Sequence, residues 1–322
     1  MKKHIVIIGG GTGTSTLLAG LKEYPAELSV IVSTADDGGS SGRLRREFGI
    51  IPPGDMRQCL AALSAMPKEA QQLFNYRFDR GSLRGHTIGN LLLAGLLQTS
   101  GSVPRALALA HGWLKAAGTV IPMSLEPTTL TATLAGGKKI SGEHEIDAPL
   151  RPRPAIQKLR LRQPAAANPQ ALAAIRQADL LVFGPGDLYT SVLPNVLMLR
   201  QAMQRSAAKK LLVTNIMTKA GQTDGFAASD FASVLESYLG AKLDVVVVNT
   251  QKPAAGLLGR YRRERASFVE PDQSRLAALG RRVVAARLVH FQPVKSNSGD
   301  RLRRSWLRHD SGRLARLLWQ EL

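Results

Sequence analysis

Little in this chain of 322 residues is aromatic, and only one residue is cysteine. That single thiol, Cys59, excludes an internal disulfide and a cysteine-built metal site. It falls in Asp55-Met-Arg-Gln-Cys-Leu-Ala-Ala-Leu63, a helical pattern, and reads as a small buried hydrophobe. Six histidines are too scattered for metal-ligand spacing. No apolar run approaches the roughly 20 residues that span a bilayer, and Met-Lys-Lys-His-Ile leads straight into strand-like sequence without a cleavable signal. These absences point to a cytoplasmic protein with no membrane insertion.

Acidic residues are scarce as well, 24 against 43 Lys and Arg, which leaves a formal charge of +19. Such an excess asks for an anionic partner: nucleic acid, a membrane surface or phosphorylated small molecules. It concentrates late, with fifteen basic against six acidic residues from Arg260 to Leu322, including the clusters Arg260–Arg265 and Arg301–Arg304. Aromatics at 5% do not interleave these clusters, and no zinc finger, RNA-recognition or helix-turn-helix pattern is present. Nucleic acid is therefore disfavoured as a partner, and a solvated basic surface is the simpler reading.

Glycine, in contrast, is placed with purpose. Ile5-Val-Ile-Ile-Gly-Gly-Gly-Thr-Gly-Thr-Ser-Thr16 is an apolar strand that breaks into glycines and then into a helical pattern from Leu17 to Glu23. Glycines allow a tight turn and close approach to a ligand, while the unpaired N–H groups opening the helix attract anions. Gly10, Gly11, Thr12, Gly13 and Thr14 thus form a candidate phosphate cradle. In the dinucleotide frame G-x-G-x-x-G, Thr14 or Thr16 occupies the third glycine position, so the loop departs from that fingerprint.

Leu28–Thr34 follows as a β-branched strand, completing a strand, turn, helix, strand succession of the kind that builds a parallel sheet. Ala178–Phe183, Lys210–Thr214 and Leu243–Asn249 are further short apolar runs suited to strands buried on both faces, with helical stretches around Leu193–Gln204 and Asp224–Leu239 between them. Residues 54–118 read as consecutive helices. Residues 119–162 carry β-branched runs broken by Gly136-Gly137 and Ser141-Gly142, which predicts antiparallel hairpins on the flank of the sheet. The expectation is one α/β domain over 1–322 with a doubly wound, mostly parallel sheet and a helical and β-hairpin insert over about 54–162.

Polar residues gather where strands end. Ser33-Thr-Ala-Asp-Asp-Gly-Gly-Ser-Ser-Gly-Arg-Leu-Arg45 places Asp36 and Asp37 beyond the second strand, facing the same crevice as the first loop. They can accept from a ribose hydroxyl or hold Mg²⁺ through oxygen ligands, and they can equally cap the following helix. Ser40 and Ser41 belong to a second anion nest, and Arg43 can clamp a phosphate. In Ile51-Pro-Pro-Gly-Asp-Met-Arg57, Asp55 reads as a helix cap. Arg57, a cation near a helix N-terminus, is suited to a ligand or a salt bridge.

His86 and Asn90 of Gly85-His-Thr-Ile-Gly-Asn-Leu91 lie one turn apart on one face. Phe183-Gly-Pro-Gly-Asp-Leu-Tyr-Thr-Ser191 repeats the strand and glycine turn, offering Gly184, Gly186, Asp187, Thr190 and Ser191. Asn215 and Thr218, with Asp224, occupy the next strand end, and Asn249-Thr-Gln-Lys252 supplies a fourth polar loop. No catalytic grouping emerges: Ser40, Ser41 and Ser191 lack an identifiable His/Asp pair, and there is no G-x-S-x-G elbow. The pattern argues binding rather than turnover.

Gly9–Leu18, Asp36–Arg45, Pro52–Arg57, His86–Leu92, Gly184–Ser191 and Asn215–Gly225, in that order, together resemble the motifs of the gluconeogenesis factor (YvcK-like) family, within the 2-phospho-L-lactate transferase (CofD) superfamily. The resemblance implies a Rossmann-like α/β fold and a cytoplasmic regulator that binds a UDP-sugar such as UDP-N-acetylglucosamine and is needed for cell shape and wall synthesis during gluconeogenic growth. It also implies a nucleotide-sugar contact for Tyr261, in Gly259-Arg-Tyr-Arg-Arg-Glu264, and for Arg308, in Leu307-Arg-His-Asp310. In the transferase branch the pair at Asp36 and Asp37 binds Mg²⁺, so the alternative is a Mg²⁺-dependent transferase of the phospholactate type. Asp187, Lys219 and Gln222 depart from the family's usual serine, glutamine and glutamate. The expected partner is a nucleotide-sugar or another phosphorylated small molecule, and homo-oligomerisation stays open.

Overall fold

The computed structural model describes residues 2–149, 151–162, 165–291 and 305–322. The Arg301, Arg303 and Arg304 cluster lies outside the described residues. β1 (Lys3–Ile8) is followed at once by α1 (Gly11–Leu21), then β2 (Ala26–Val32) and α2 (Gly39–Phe48). Four helices come next: α3 (Gly54–Leu63), α4 (Lys68–Asn75), α5 (Ile88–Thr99) and α6 (Val103–Leu114). β3 (Thr119–Pro122), β4 (Leu130–Leu134), β5 (Lys139–Ser141), α7 (Glu143–Asp147), β6 (Ile156–Leu161) and α8 (Pro169–Gln177) fill the middle. β7 (Leu180–Phe183) leads through a π-helical turn, Leu188–Val192, into α9 (Leu193–Arg205), β8 (Lys209–Val213), α10 (Ala228–Leu239) and β9 (Val245–Asn249). The chain closes with α11 (Ala255–Arg263), α12 (Gln273–Ala278), β10 (Arg282–Ala286), β11 (Val289–Phe291), β12 (Leu307–His309) and α13 (Ser311–Gln320).

Seven strands form one parallel sheet in the order β3-β2-β1-β7-β8-β9-β10. Because successive residues of a strand point to opposite faces, Ile5 and Ile7 enter one core and Val6 and Ile8 the other. The first core packs α1, α3, α5, α6 and α13 on the sheet, and the second packs α8, α9 and α10. Burial on both faces is why these strands are continuous apolar runs rather than alternating ones. The fold is a Rossmann-like, doubly wound α/β arrangement. Its strand order reverses between β1 and β7, the place where open sheets leave a crevice beyond their carboxyl ends.

One stretch differs from the sequence expectation. Thr119–Pro122 is not part of a hairpin but the parallel edge strand, paired in register with Ser29–Val32. The helices α3 to α6 are thus carried by the crossover from β2 to β3. The antiparallel part is confined to β5-β4-β6, a three-stranded sheet whose apolar side joins the second core. Among the described residues no helix is long and apolar enough to cross a membrane.

Candidate functional site

The two glycine turns sit against each other at the β1/β7 switch point. α1 starts inside the glycine run rather than at Leu17, so Gly11, Thr12, Gly13 and Thr14 are its first turn. Gly11 has φ +70, a left-handed conformation that favours glycine. A Cβ on Gly13 would lie 2.6 Å from the Pro185 carbonyl oxygen, and the Thr14 hydroxyl donates to the same oxygen at 3.0 Å. Thr14 therefore replaces the third glycine of the dinucleotide pattern because its side chain fastens one loop to the other. Gly10 is fixed by a different neighbour, the Asp55 carboxylate, which any Cβ there would overlap.

Asp55 is not the cap of α3. It lies in that helix's first turn and reaches the first glycine loop, where its carboxylate accepts from the Gly11 N–H. Burial, with the charge of Asp36 adding to it, pushes its pKa up to about 7. One donor of the cradle is already met by an internal carboxylate.

A crevice of about 1090 Å³ opens from these loops. Every site residue expected from the sequence lines it except Thr14, His86 and Gly184, which stand behind its wall. Asp36 and Asp37 have separate partners. The Asp36 Oδ1 accepts from the Gly38 N–H at 2.9 Å, and burial raises its pKa despite that bond and one from Ser41. Asp37 accepts from the N–H groups of Glu143 at 3.2 Å and His144 at 2.8 Å, holding the start of α7.

α7 in turn presents Glu143 and Asp147 to the crevice. Burial, then the charges of Asp147 and Asp36, pushes the Glu143 carboxyl well above its usual range. Burial acts on Asp147 too, but Lys219, with hydrogen bonds from Lys219, Thr190 and Gln222, outweighs it and holds that carboxyl low. Lys219 Nζ bridges Asp147 and Asp187, the latter at 2.6 Å, so the departures from the family pattern at 187, 219 and 222 converge on one ion-pair network. Asp187 is raised by burial in spite of Lys219. A chain of charge +19 thus has an acidic crevice floor.

Removing the shared cation tests that network. Lys219→Met is expected to cost about 1–3 kcal/mol at pH 7, discounted from a fully buried pair because the groups are partly exposed. Asp147 has a depressed pKa in the folded state, so its contribution exists above its ordinary value and disappears as pH falls through the folded one. The deficit, measured by urea denaturation, should therefore shrink below about pH 4. Equal stability of the two proteins at pH 7 would show that the network does not hold α7.

His86 and Asn90 converge on Ser40, with Asn90 and Ser40 lining the crevice and His86 set behind them. His86 Nδ1 is 2.9 Å from the Ser40 hydroxyl, which also accepts from Asn90 Nδ2 at 2.9 Å. A Ser–His contact absent from the sequence reading therefore exists. No carboxylate orients the ring among its described hydrogen bonds, and burial, aided by Arg43, lowers its pKa. Arg43 itself donates to the Arg84 carbonyl at 2.7 Å, and the buried Arg57 donates to Asn75. Thr218 pairs with Ser267, while Asn249 does not reach the crevice and instead accepts from Leu288 N–H.

At the far end, Tyr261 and Arg308 come together. The Tyr261 hydroxyl accepts from the N–H groups of Trp306 at 3.0 Å and Leu307 at 3.1 Å, tying α11 to the strand that carries Arg308. The ring is 6% exposed, so stacking on a ligand uses only its crevice edge. Sequence reasoning missed Asp55, Glu143 and Asp147. The dense acidic run Glu143-His-Glu-Ile-Asp147 after Gly142 was the available signal.

Residues 5–289 match the family model described as 2-phospho-L-lactate transferase CofD. The chain is 41% identical over 285 residues to the gluconeogenesis factor of Halalkalibacterium halodurans, covering 87% of each. It is 36% identical over 321 residues to the gluconeogenesis factor of Bacillus subtilis, covering 98% of this chain and 97% of that protein. A crystal structure of a UPF0052 family protein from Bacillus halodurans superposes with a TM-score of 0.91 at 36% identity over 99% of both chains.

Proposed function

The chain belongs to the 2-phospho-L-lactate transferase CofD family and, by its relatives, to the gluconeogenesis factors within it; from that premise we propose that its crevice binds a nucleotide-sugar of the UDP-N-acetylglucosamine type. The protein then acts as a cytoplasmic regulator of cell shape and wall synthesis during gluconeogenic growth. The observation that carries this reading is the convergence of two glycine loops at the β1/β7 switch point on a single crevice. N–H groups of α1 and of the Leu188–Val192 turn suit a diphosphate. Tyr261 and Arg308 suit the uridine end. About 1090 Å³ is ample for such a ligand.

The acidic floor adds a condition. A diphosphate beside Asp36, Asp55 and Asp187 meets like charge, which a divalent cation would offset. Among the described residues no group of three His, Cys, Asp or Glu side chains can hold a metal unaided. That donor set fits Mg²⁺, which takes one or two carboxylates and completes its shell with phosphates and water. Asp36 would hold it, since Asp37 is occupied with α7. When bound, the ion would neutralise phosphate charge; Asp36 and Ser41 would fix its place.

Calorimetric titration with UDP-N-acetylglucosamine, UDP and NAD, with Mg²⁺ and then with EDTA, tests the proposal. UDP-sugar binding at about millimolar Kd or tighter is expected, weakening by about tenfold in EDTA, with NAD inferior. Absence of binding by every UDP-sugar would refute it.

A second reading, a Mg²⁺-dependent transferase joining a phospho-acid nucleotide to an acceptor hydroxyl, is favoured by the name of the matched family and by Asp36 beside the phosphate loops. Nucleoside monophosphate released on mixing those two reactants would support it over a purely binding role.

A further inference from the structure

A buried polar atom on β12, next to the end of β8, has no hydrogen-bond partner among the described residues. His309, on β12, is 6% exposed and lines the crevice. Strand alternation turns Leu307 and His309 to the same side, and Leu307 packs there with Ile216 and Tyr261 just beyond β8. The His309 ring is hydrogen-bonded to the backbone of Thr214, the residue that follows β8. A carbonyl can only accept, so the ring nitrogen facing Thr214 carries the proton. Nε2 is then a bare lone pair, and no described group donates to it. Burial pushes the ring's pKa down to about 4, which keeps it neutral at ordinary pH.

A lone pair rejects phosphate and carboxylate oxygens and accepts only from O–H or N–H. An unsatisfied buried acceptor is costly, and a ligand that supplies the missing donor recovers that cost. We infer that His309 Nε2 is a specificity determinant that accepts a hydrogen bond from a neutral donor of the bound nucleotide, a ribose hydroxyl or the imide N–H of the base. The inference rests on the nucleotide reading above. It gives the neighbouring residues Arg308 and His309 complementary tasks, the first for anionic oxygen and the second for an uncharged donor.

The test compares UDP-N-acetylglucosamine with its 2′-deoxy, 3′-deoxy and N3-methyl analogues by calorimetry on the wild-type chain and on His309→Phe. Wild type should lose about tenfold or more in affinity for one analogue, a deoxy sugar if the donor is on the ribose and the N3-methyl base if it is the imide. His309→Phe should bind that analogue and the parent equally. Equal wild-type affinity for all four ligands, or discrimination that survives in His309→Phe, would overturn the inference while leaving nucleotide binding intact. No wild-type binding of the parent would overturn both. If His309→Phe fails to fold, the analogue series stands, and the ¹⁵N resonance of His309 Nε2 in wild type decides: it must shift on saturation with the parent ligand, and an unmoved resonance contradicts the contact.

Discussion

Gly13→Ala is expected to weaken UDP-sugar binding at least about tenfold and to lower stability by about 1–3 kcal/mol, the usual range for overpacking a filled site. The new methyl would sit 2.6 Å from the Pro185 oxygen and 2.9 Å from its carbon, and both are backbone atoms that cannot rotate away. One glycine loop must then move from the other, and the 3.0 Å bond from Thr14 to Pro185 lengthens or breaks. Because both loops line the crevice, a shift of a few tenths of an ångström would alter every phosphate contact of the proposed ligand together. Gly95→Ala is the matched control. It lies in α5 with open space around the missing Cβ, so alanine should leave binding unchanged and raise stability slightly. Calorimetry and urea denaturation on both variants check this, and unchanged binding by Gly13→Ala would mean that the loops do not act as one cradle.

Without divalent metal, the wild-type chain should lose stability as pH rises from about 4 to 7, and Asp55→Asn should remove much of that slope. The folded Asp55 has a pKa of about 7, above its ordinary value of 3.8, so between these values the folded state binds more protons than the unfolded one. Stability then falls with rising pH across that window and is flat above it. Each pH unit of separation is worth ~1.4 kcal/mol, which gives about 2–4 kcal/mol once partial exposure is allowed for. Asp36 and Glu143, also raised, act in the same direction, so some slope will survive in the variant. Urea midpoints for both proteins at pH 4.5 and 7.5 decide the matter. Parallel curves would place the pH dependence elsewhere in the crevice.

How much of this was legible beforehand depended on whether the determining contact was local. Ile5–Ile8, Leu180–Phe183 and Val245–Asn249 declared themselves as strands because burial on both faces demands continuous apolar sequence. Thr119–Pro122 did not, since four residues before a hairpin region carry no mark of parallel pairing; its partner Ser29–Val32 supplies that. The glycine loops were visible as turns, but the reason for each glycine was not, because Gly10 answers to Asp55 and Gly13 to Pro185. Asp55 looked like a cap from its local setting of Pro-Pro-Gly-Asp. Asp36 and Asp37 looked like one unit by adjacency, yet only Asp36 is held by its own loop, while Asp37 holds α7. The acidic floor was hidden beneath a net charge of +19, because composition cannot say that Asp36, Asp55, Glu143, Asp147 and Asp187, far apart in sequence, line one crevice.

Where a nucleotide-sugar sits decides whether the two glycine loops form its binding site. A crystal structure with UDP-N-acetylglucosamine and Mg²⁺ should place the diphosphate against Gly11–Gly13 and Gly186–Ser191, the ion on Asp36, and the uridine beside Tyr261, Arg308 and His309. Ligand found outside this crevice, or a diphosphate remote from both glycine loops, would contradict it.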